Sequence, residues 1–187
     1  MPAARKLGGV EDPDETLMLA YRQGDTGAFE TLYGRHKGPL YRFVLRSVRE
    51  RGLAEELYQE IWMRVIEARA RYSVQAKFTT WLYAIAHHRL VDHWRKRGLQ
   101  LVDLDGADTA AHRAYEPQAR AEGREDLRRL AAALAALPEM QRETFLLHEE
   151  AGLSLAEIAA ATGASEEAAK SRLRYALAKL RKAMDDG

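Results

Sequence analysis

Cysteine is absent from the 187 residues. That excludes a disulfide framework, a thiolate metal site and a thiol nucleophile. Long apolar runs are absent too. None approaches the ~20 residues that a bilayer-crossing helix needs, and residues 1–15 lack the apolar middle of a signal peptide. The cytoplasm is therefore the natural compartment. No GxxxxGK phosphate loop and no GxSxG elbow occurs, and the acidic pairs Glu55-Glu56 and Glu149-Glu150 sit at helix ends, where solvation or partner contact accounts for them. Of His87, His88, Asp92 and His93, only His88 and Asp92 share a helix face, short of the three or four converging ligands a metal site requires. The expectation is a protein with no catalytic centre, no metal and no cofactor. Excess charge of one sign is also missing. The net charge is +1, so the chain is not a globally basic nucleic-acid protein.

What the chain has is segregated charge and helical periodicity. Its hydrophobic content, 47%, suffices for a core. Basic residues gather in two clusters, Arg89 with Arg95-Lys96-Arg97, and Lys170 through Lys182. Local patches of this kind decide where phosphate binds. Residues 1–13, with Gly8-Gly9 and two prolines, read as a flexible arm. Apolar residues then recur at helical spacing: Leu17, Met18, Ala20 and Tyr21; then Phe29, Leu32 and Tyr33 over 26–34; then Leu40, Phe43, Val44 and Val48 after a restart at Gly38-Pro39. No strand pattern interrupts them, so the fold class is all-α.

Residues 54–97 form a helical pair. Ala54, Leu57, Ile61, Trp62 and Val65 make one stripe, with acids on the amino-terminal turns, where they suit the helix dipole. A polar bend, 72–77, follows. Thr79 or Thr80 can cap a second helix. Along that helix Trp81, Leu82, Ile85, Ala86 and Leu90 make the core side, while Tyr83, His87, His88, Val91, Trp94 and Arg95 wind around the rest. An aromatic helix ending in a basic cluster beside a polar loop suits single-stranded nucleic acid, which needs cations for phosphates and flat faces for bases. A plain helical hairpin with a solvated basic end has the same pattern.

Residues 98–123 are acidic, contain Gly106 and Pro117, and show little periodicity. They read as an extended linker, whether functional or a simple tether. From 124 the helical signal returns. Leu127, Leu130, Leu134 and Leu137 form a stripe, and Pro138 can open the next helix. Ser154 with Glu157 makes a capping box, Gly163 offers the left-handed turn, and Ser165 caps a longer helix. Cap, helix, glycine turn, cap and longer helix spell a helix-turn-helix. On its second helix Lys170, Ser171, Arg174 and Tyr175 share a face that could enter a major groove. Arg172, Lys179 and Arg181 could flank phosphates. Glu166 and Glu167 cut against phosphate, and serve either the helix start or a cytosine amine.

The order of these features resembles the bacterial sigma factors, most closely the small extracytoplasmic-function group. Region two is carried by 54–60 (AEELYQE), 78–86 (FTTWLYAIA) and 92–97 (DHWRKR), and region four by Leu137-Pro138-Glu139, Leu155–Ala159 and 170–181. The resemblance implies two small helical domains, region two over 14–97 and region four over 124–187, joined by the linker 98–123. It implies that Glu56, Leu57, Gln59, Glu60 and Met63 bind core RNA polymerase at the beta-prime coiled coil, with the beta flap as a further contact. Tyr72, Ser73, Gln75, Lys77, Tyr83, His87, His88 and Arg95 would serve the minus-ten element, the loop 72–77 cupping a flipped base. Lys170, Ser171, Arg172, Arg174, Tyr175 and Lys179 would serve the minus-thirty-five element. The partners implied are core polymerase, promoter DNA and an anti-sigma factor, often membrane-bound, with no small-molecule substrate. The protein would be cytoplasmic, or held at the inner membrane face by that factor. One departure stands out: the family often has Arg-Asn where this chain has His87-His88. A helix-turn-helix regulator that never joins polymerase is the alternative, and it leaves residues 54–97 unexplained.

Overall fold

The computed structural model describes residues 12–103 and 124–185. The expected arm, up to residue 11, and most of the expected linker, 104–123, lie outside the described residues. Among the described residues all regular structure is helical: α1 (Asp14–Arg22), α2 (Thr26–Val48), α3 (Arg51–Ala68), a single 3-10 turn (Arg69–Arg71), α4 (Phe78–Asp103), α5 (Arg124–Ala136), α6 (Glu139–Glu149), α7 (Leu155–Thr162) and α8 (Glu166–Asp185).

The break after α1 forms as the sequence predicts. Gly24 takes φ +106°, and Asp25 caps α2 by accepting from the Ala28 N–H at 3.2 Å. The expected restart at Gly38-Pro39 does not occur, and α2 runs straight through Pro39. A proline inside a helix costs about 3 kcal/mol. Leu32, Leu40, Phe43 and Val44 lie on both sides of it and are fully buried. At ~1.5–3 kcal/mol for each such side chain, keeping one continuous stripe outweighs the lost hydrogen bond. The helix ends at Arg49, the one non-glycine residue among the described ones with positive φ (64°).

The start of α4 also differs from expectation. Neither threonine caps it. The Phe78 N–H donates instead to Oε1 of Glu15, 63 residues earlier on α1, at 2.5 Å, and Thr80 is buried. At its other end α4 continues past Arg97 to Asp103, into the stretch read as linker.

Helices α1–α4 wrap a core built on Met18, Leu32, Phe43, Leu57, Ile61, Phe78, Leu82 and Leu90. That core is continuous with Leu146, Leu147, Leu153 and Ile158 from α6, α7 and the turn between them. A smaller cluster, Leu137, Ala176 and Leu180, joins α8 to the rest of the carboxy-terminal half. Helix α7 packs on α4, and α6 packs on α2.

Candidate polymerase and promoter interfaces

Three surfaces carry the residues singled out in the sequence. The first is the outer face of α3. Its apolar stripe turns Ala54, Leu57, Ile61 and Val65 inward, which leaves Glu56, Gln59 and Met63 outward, Met63 54% exposed. With Glu60, Arg64 and Glu67 they line a shallow groove of about 390 Å³. Glu60 pairs with Arg89 of α4, and that bond holds its carboxyl below the usual range. Leu57 does not lie on this face. It is fully buried and anchors α3 to the core. The groove is acidic with one flexible apolar knob, which suits a protein partner with basic and apolar groups.

The second surface is the loop 72–77 with α4. Ser73, Gln75 and Lys77 are exposed. Tyr72 turns inward, edge-on to Trp81 at 5.0 Å between ring centroids. Its backbone carbonyl accepts from Arg22 Nη1 at 2.8 Å. Burial, with Glu15 and Asp14 nearby, pushes its hydroxyl up to about 12. Tyr72 thus holds the base of the loop while the other three side chains form its rim. Tyr83 is 1% exposed and meets Phe43 edge-on at 5.2 Å, because α2 covers that side of α4. Burial raises its hydroxyl as well. His88 and Arg95 are exposed, and Arg95 pairs with Asp92 at 3.2 Å. His87 is only 7% exposed, with Nδ1 2.8 Å from Oε1 of Glu143 on α6. Lys77 pairs with Glu157 on α7 at 2.7 Å; hydrogen bonding to that carboxylate raises the Lys77 ammonium and lowers Glu157. Glu143 and Glu157 are the residues that sequence reasoning missed. Glu157 carried a signal only as a helix cap, and Glu143 carried none.

The third surface is the helix-turn-helix. The capping box is complete: Ser154 Oγ accepts from the Glu157 N–H at 3.2 Å, and Glu157 accepts from the Ser154 N–H at 2.8 Å. Gly163 takes φ +65° with open space around it. Ser165 Oγ accepts from the Ala168 N–H at 3.1 Å. With Ala169, Ala176 and Leu180 buried, α8 turns Lys170, Arg174 and Tyr175 outward, Tyr175 52% exposed. The Arg174 guanidinium lies over the Tyr175 ring at 5.2 Å, a cation–π contact that orients both. Ser171 and Arg172 are half-buried. Arg172 reaches a cleft of about 500 Å³ that it shares with His87, Trp94 and Arg95. Lys179 donates to Gln141 Oε1 at 3.2 Å. The exposed face offers fork-shaped and point-charge donors beside an aromatic edge, the chemistry that reads a major groove.

Among the described residues no helix is long and apolar enough to cross a membrane. Residues 32–100 match the family model of Sigma-70 region 2, and residues 127–180 match that of Sigma-70, region 4. The ECF RNA polymerase sigma factor SigF of Caulobacter vibrioides is 35% identical over 173 residues, covering 91% of this chain and 93% of its own. The RNA polymerase sigma factor CarQ of Myxococcus xanthus is 34% identical over 178 residues, covering 90% and 96%. In the solved structure of sigma factor RpoE with the anti-sigma factor NepR from Bartonella quintana, the fold is shared at a TM-score of 0.73 and 24% identity, over 84% of this chain and 96% of that one. CnrH, solved with the cytosolic domain of CnrY, shares it at a TM-score of 0.70 and 24% identity, over 94% and 99%. With both domains matched in order and two relatives above 30% identity along nine-tenths of its length, the chain belongs to the extracytoplasmic-function (ECF) sigma factors of RNA polymerase.

Proposed function

We propose that this sigma factor joins core RNA polymerase through the α3 groove and reads its promoter with two separate surfaces. The observation that carries this is the open face of Lys170, Arg174 and Tyr175 on a fully capped helix-turn-helix, in one chain with an acidic, methionine-bearing α3 face. Glu56, Gln59, Glu60 and Met63 contact polymerase at the beta-prime coiled coil, and region four contacts the beta flap. Ser73, Gln75 and Lys77 rim the pocket for a flipped minus-ten base, with His88 and Arg95 on the adjoining strand. Tyr72 and Tyr83 support that surface from beneath, and His87 joins it once α6 withdraws. Extruding a base costs a few kcal/mol; stacking and phosphate contacts return ~1–3 kcal/mol per base. On α8, Lys170, Ser171, Arg172, Arg174, Tyr175 and Lys179 serve the minus-thirty-five duplex. The bond-forming chemistry belongs to the polymerase, and this chain supplies no catalytic group.

RpoE of Bartonella quintana was solved with an anti-sigma factor and CnrH with the cytosolic domain of CnrY. The present chain is assigned the same kind of restraint, an anti-sigma protein that covers the α3 groove and, when membrane-bound, keeps the chain at the inner membrane face. Run-off transcription with core polymerase and genomic fragments tests the reading. Promoter-specific transcripts are expected with the native chain and should disappear with Gln59→Ala combined with Glu60→Ala while helical circular dichroism is retained. Persistence of the transcripts would move the polymerase contact elsewhere; their absence with the native chain would sink the reading.

A further inference from the structure

The contacts between the two domains involve the surface assigned to the unpaired strand. Three carboxylates of the carboxy-terminal half each engage cations or imidazole of the amino-terminal half. Glu143 meets His87 at 2.8 Å. Glu150 meets Arg42 at 3.1 Å and also Arg46. Glu157 meets Lys77 at 2.7 Å. Two of the partners, Lys77 and His87, are strand-site residues. A backbone bond adds to the set, Arg49 Nη1 donating to the Ala135 carbonyl at 2.8 Å. Glu143, Leu147 and Glu150 stand at i, i+4 and i+7 of α6, a single stripe, with Leu147 fully buried in the core that both halves share. Charge sits where phosphate would sit, and an apolar residue sits between.

We propose that Glu143, Glu150 and Glu157 form an intramolecular decoy that occupies the strand-binding face and holds the free chain closed. The inference rests on the assignment of Lys77 and His87 to the minus-ten strand. An oxyanion on Lys77 and an acceptor on His87 Nδ1 are the groups a DNA backbone would bring, so the carboxylates and the strand exclude each other. The apparent affinity for a strand then falls by the fraction of molecules that are open. Joining polymerase, which separates the two domains onto different sites, removes the competitor. The decoy keeps a free sigma factor off exposed single strands.

The absence of cysteine allows clean labelling. Dyes placed at Thr31→Cys and Lys182→Cys report the separation of the halves in the full chain, and anisotropy reports its binding to short random-sequence single-stranded DNA. The variant E143Q/E150Q/E157Q keeps the side-chain shapes and, at 157, the capping box, since glutamine serves there equally. It should lower energy transfer and bind the oligonucleotide about tenfold tighter. The charge-matched control E30Q/E55Q/E149Q, altered at exposed positions away from the contact, should do neither. Unchanged energy transfer in the triple variant would overturn the proposal. So would opening with an affinity gain no larger than the control's. Should the buried change at 143 unfold the chain, E150Q/E157Q should shift both readouts in the same direction, and a null result there overturns the proposal equally. These outcomes leave the transcription reading standing. Failure of the native chain to yield promoter transcripts with core polymerase is the separate result that sinks both.

Discussion

A single imidazole shows how burial sets a pH response. His93 sits half-buried on α4, and its pKa is lowered from 6.5 first by desolvation and then by Arg89 and Arg97. The unfolded chain therefore binds a proton more readily than the folded one. Stability from this group is complete above 6.5 and is lost as pH falls toward the folded-state value. Thermal melts across pH 5–7 should show the native midpoint dropping, and His93→Gln should flatten that slope. Equal slopes in the two proteins would contradict the assignment. Tyr83 teaches a related lesson. Its spacing put it off the main apolar side of α4, yet Phe43 covers it, so an aromatic that suggested base stacking is a core residue. No local signal distinguishes the two roles, because the covering ring lies 40 positions earlier in the chain.

At the level of elements, α8 is the clearest case of sequence pattern becoming a usable surface. Its caps are local hydrogen bonds within three residues, and its inward alanines and leucines leave one polar face. Arg174→Ala in the holoenzyme should cost ~1–3 kcal/mol at one base position of the upstream element, measured by binding to a set of single-base variants. Uniform weakening across all variants would make Arg174 a phosphate contact. Helix α2 shows the opposite case. Gly38-Pro39 is a strong local stop signal, but the buried stripe on either side of it overrides the stop. Helix α4 likewise takes its amino-terminal acceptor from α1, which no scan of nearby caps could identify.

For the whole molecule, the shared core has a thermodynamic consequence. All three tryptophans, Trp62, Trp81 and Trp94, lie in the amino-terminal half, so their fluorescence reports that half alone. Leu147 lies in the other half and is fully buried in the common cluster. Leu147→Ala should cost ~2–5 kcal/mol and lower the tryptophan melting midpoint along with the helical one, as one cooperative unit. A tryptophan midpoint that stays at the native value would mean that the halves melt independently, and that their contact adds little to the amino-terminal core.

Sequence alone determined the all-helical class, the two-part organisation, the turn-and-cap grammar of 154–165 and the basic face of α8. Each of these is written in hydrogen bonds or spacings that span a few residues. Tertiary structure decided which helix faces are covered. It placed Glu15 at the head of α4, carried α2 through Pro39, buried Leu57, Tyr72 and Tyr83, and set Glu143 and Glu157 against His87 and Lys77. Those outcomes depend on contacts between positions tens of residues apart, where the gain from burying apolar surface exceeds any local preference.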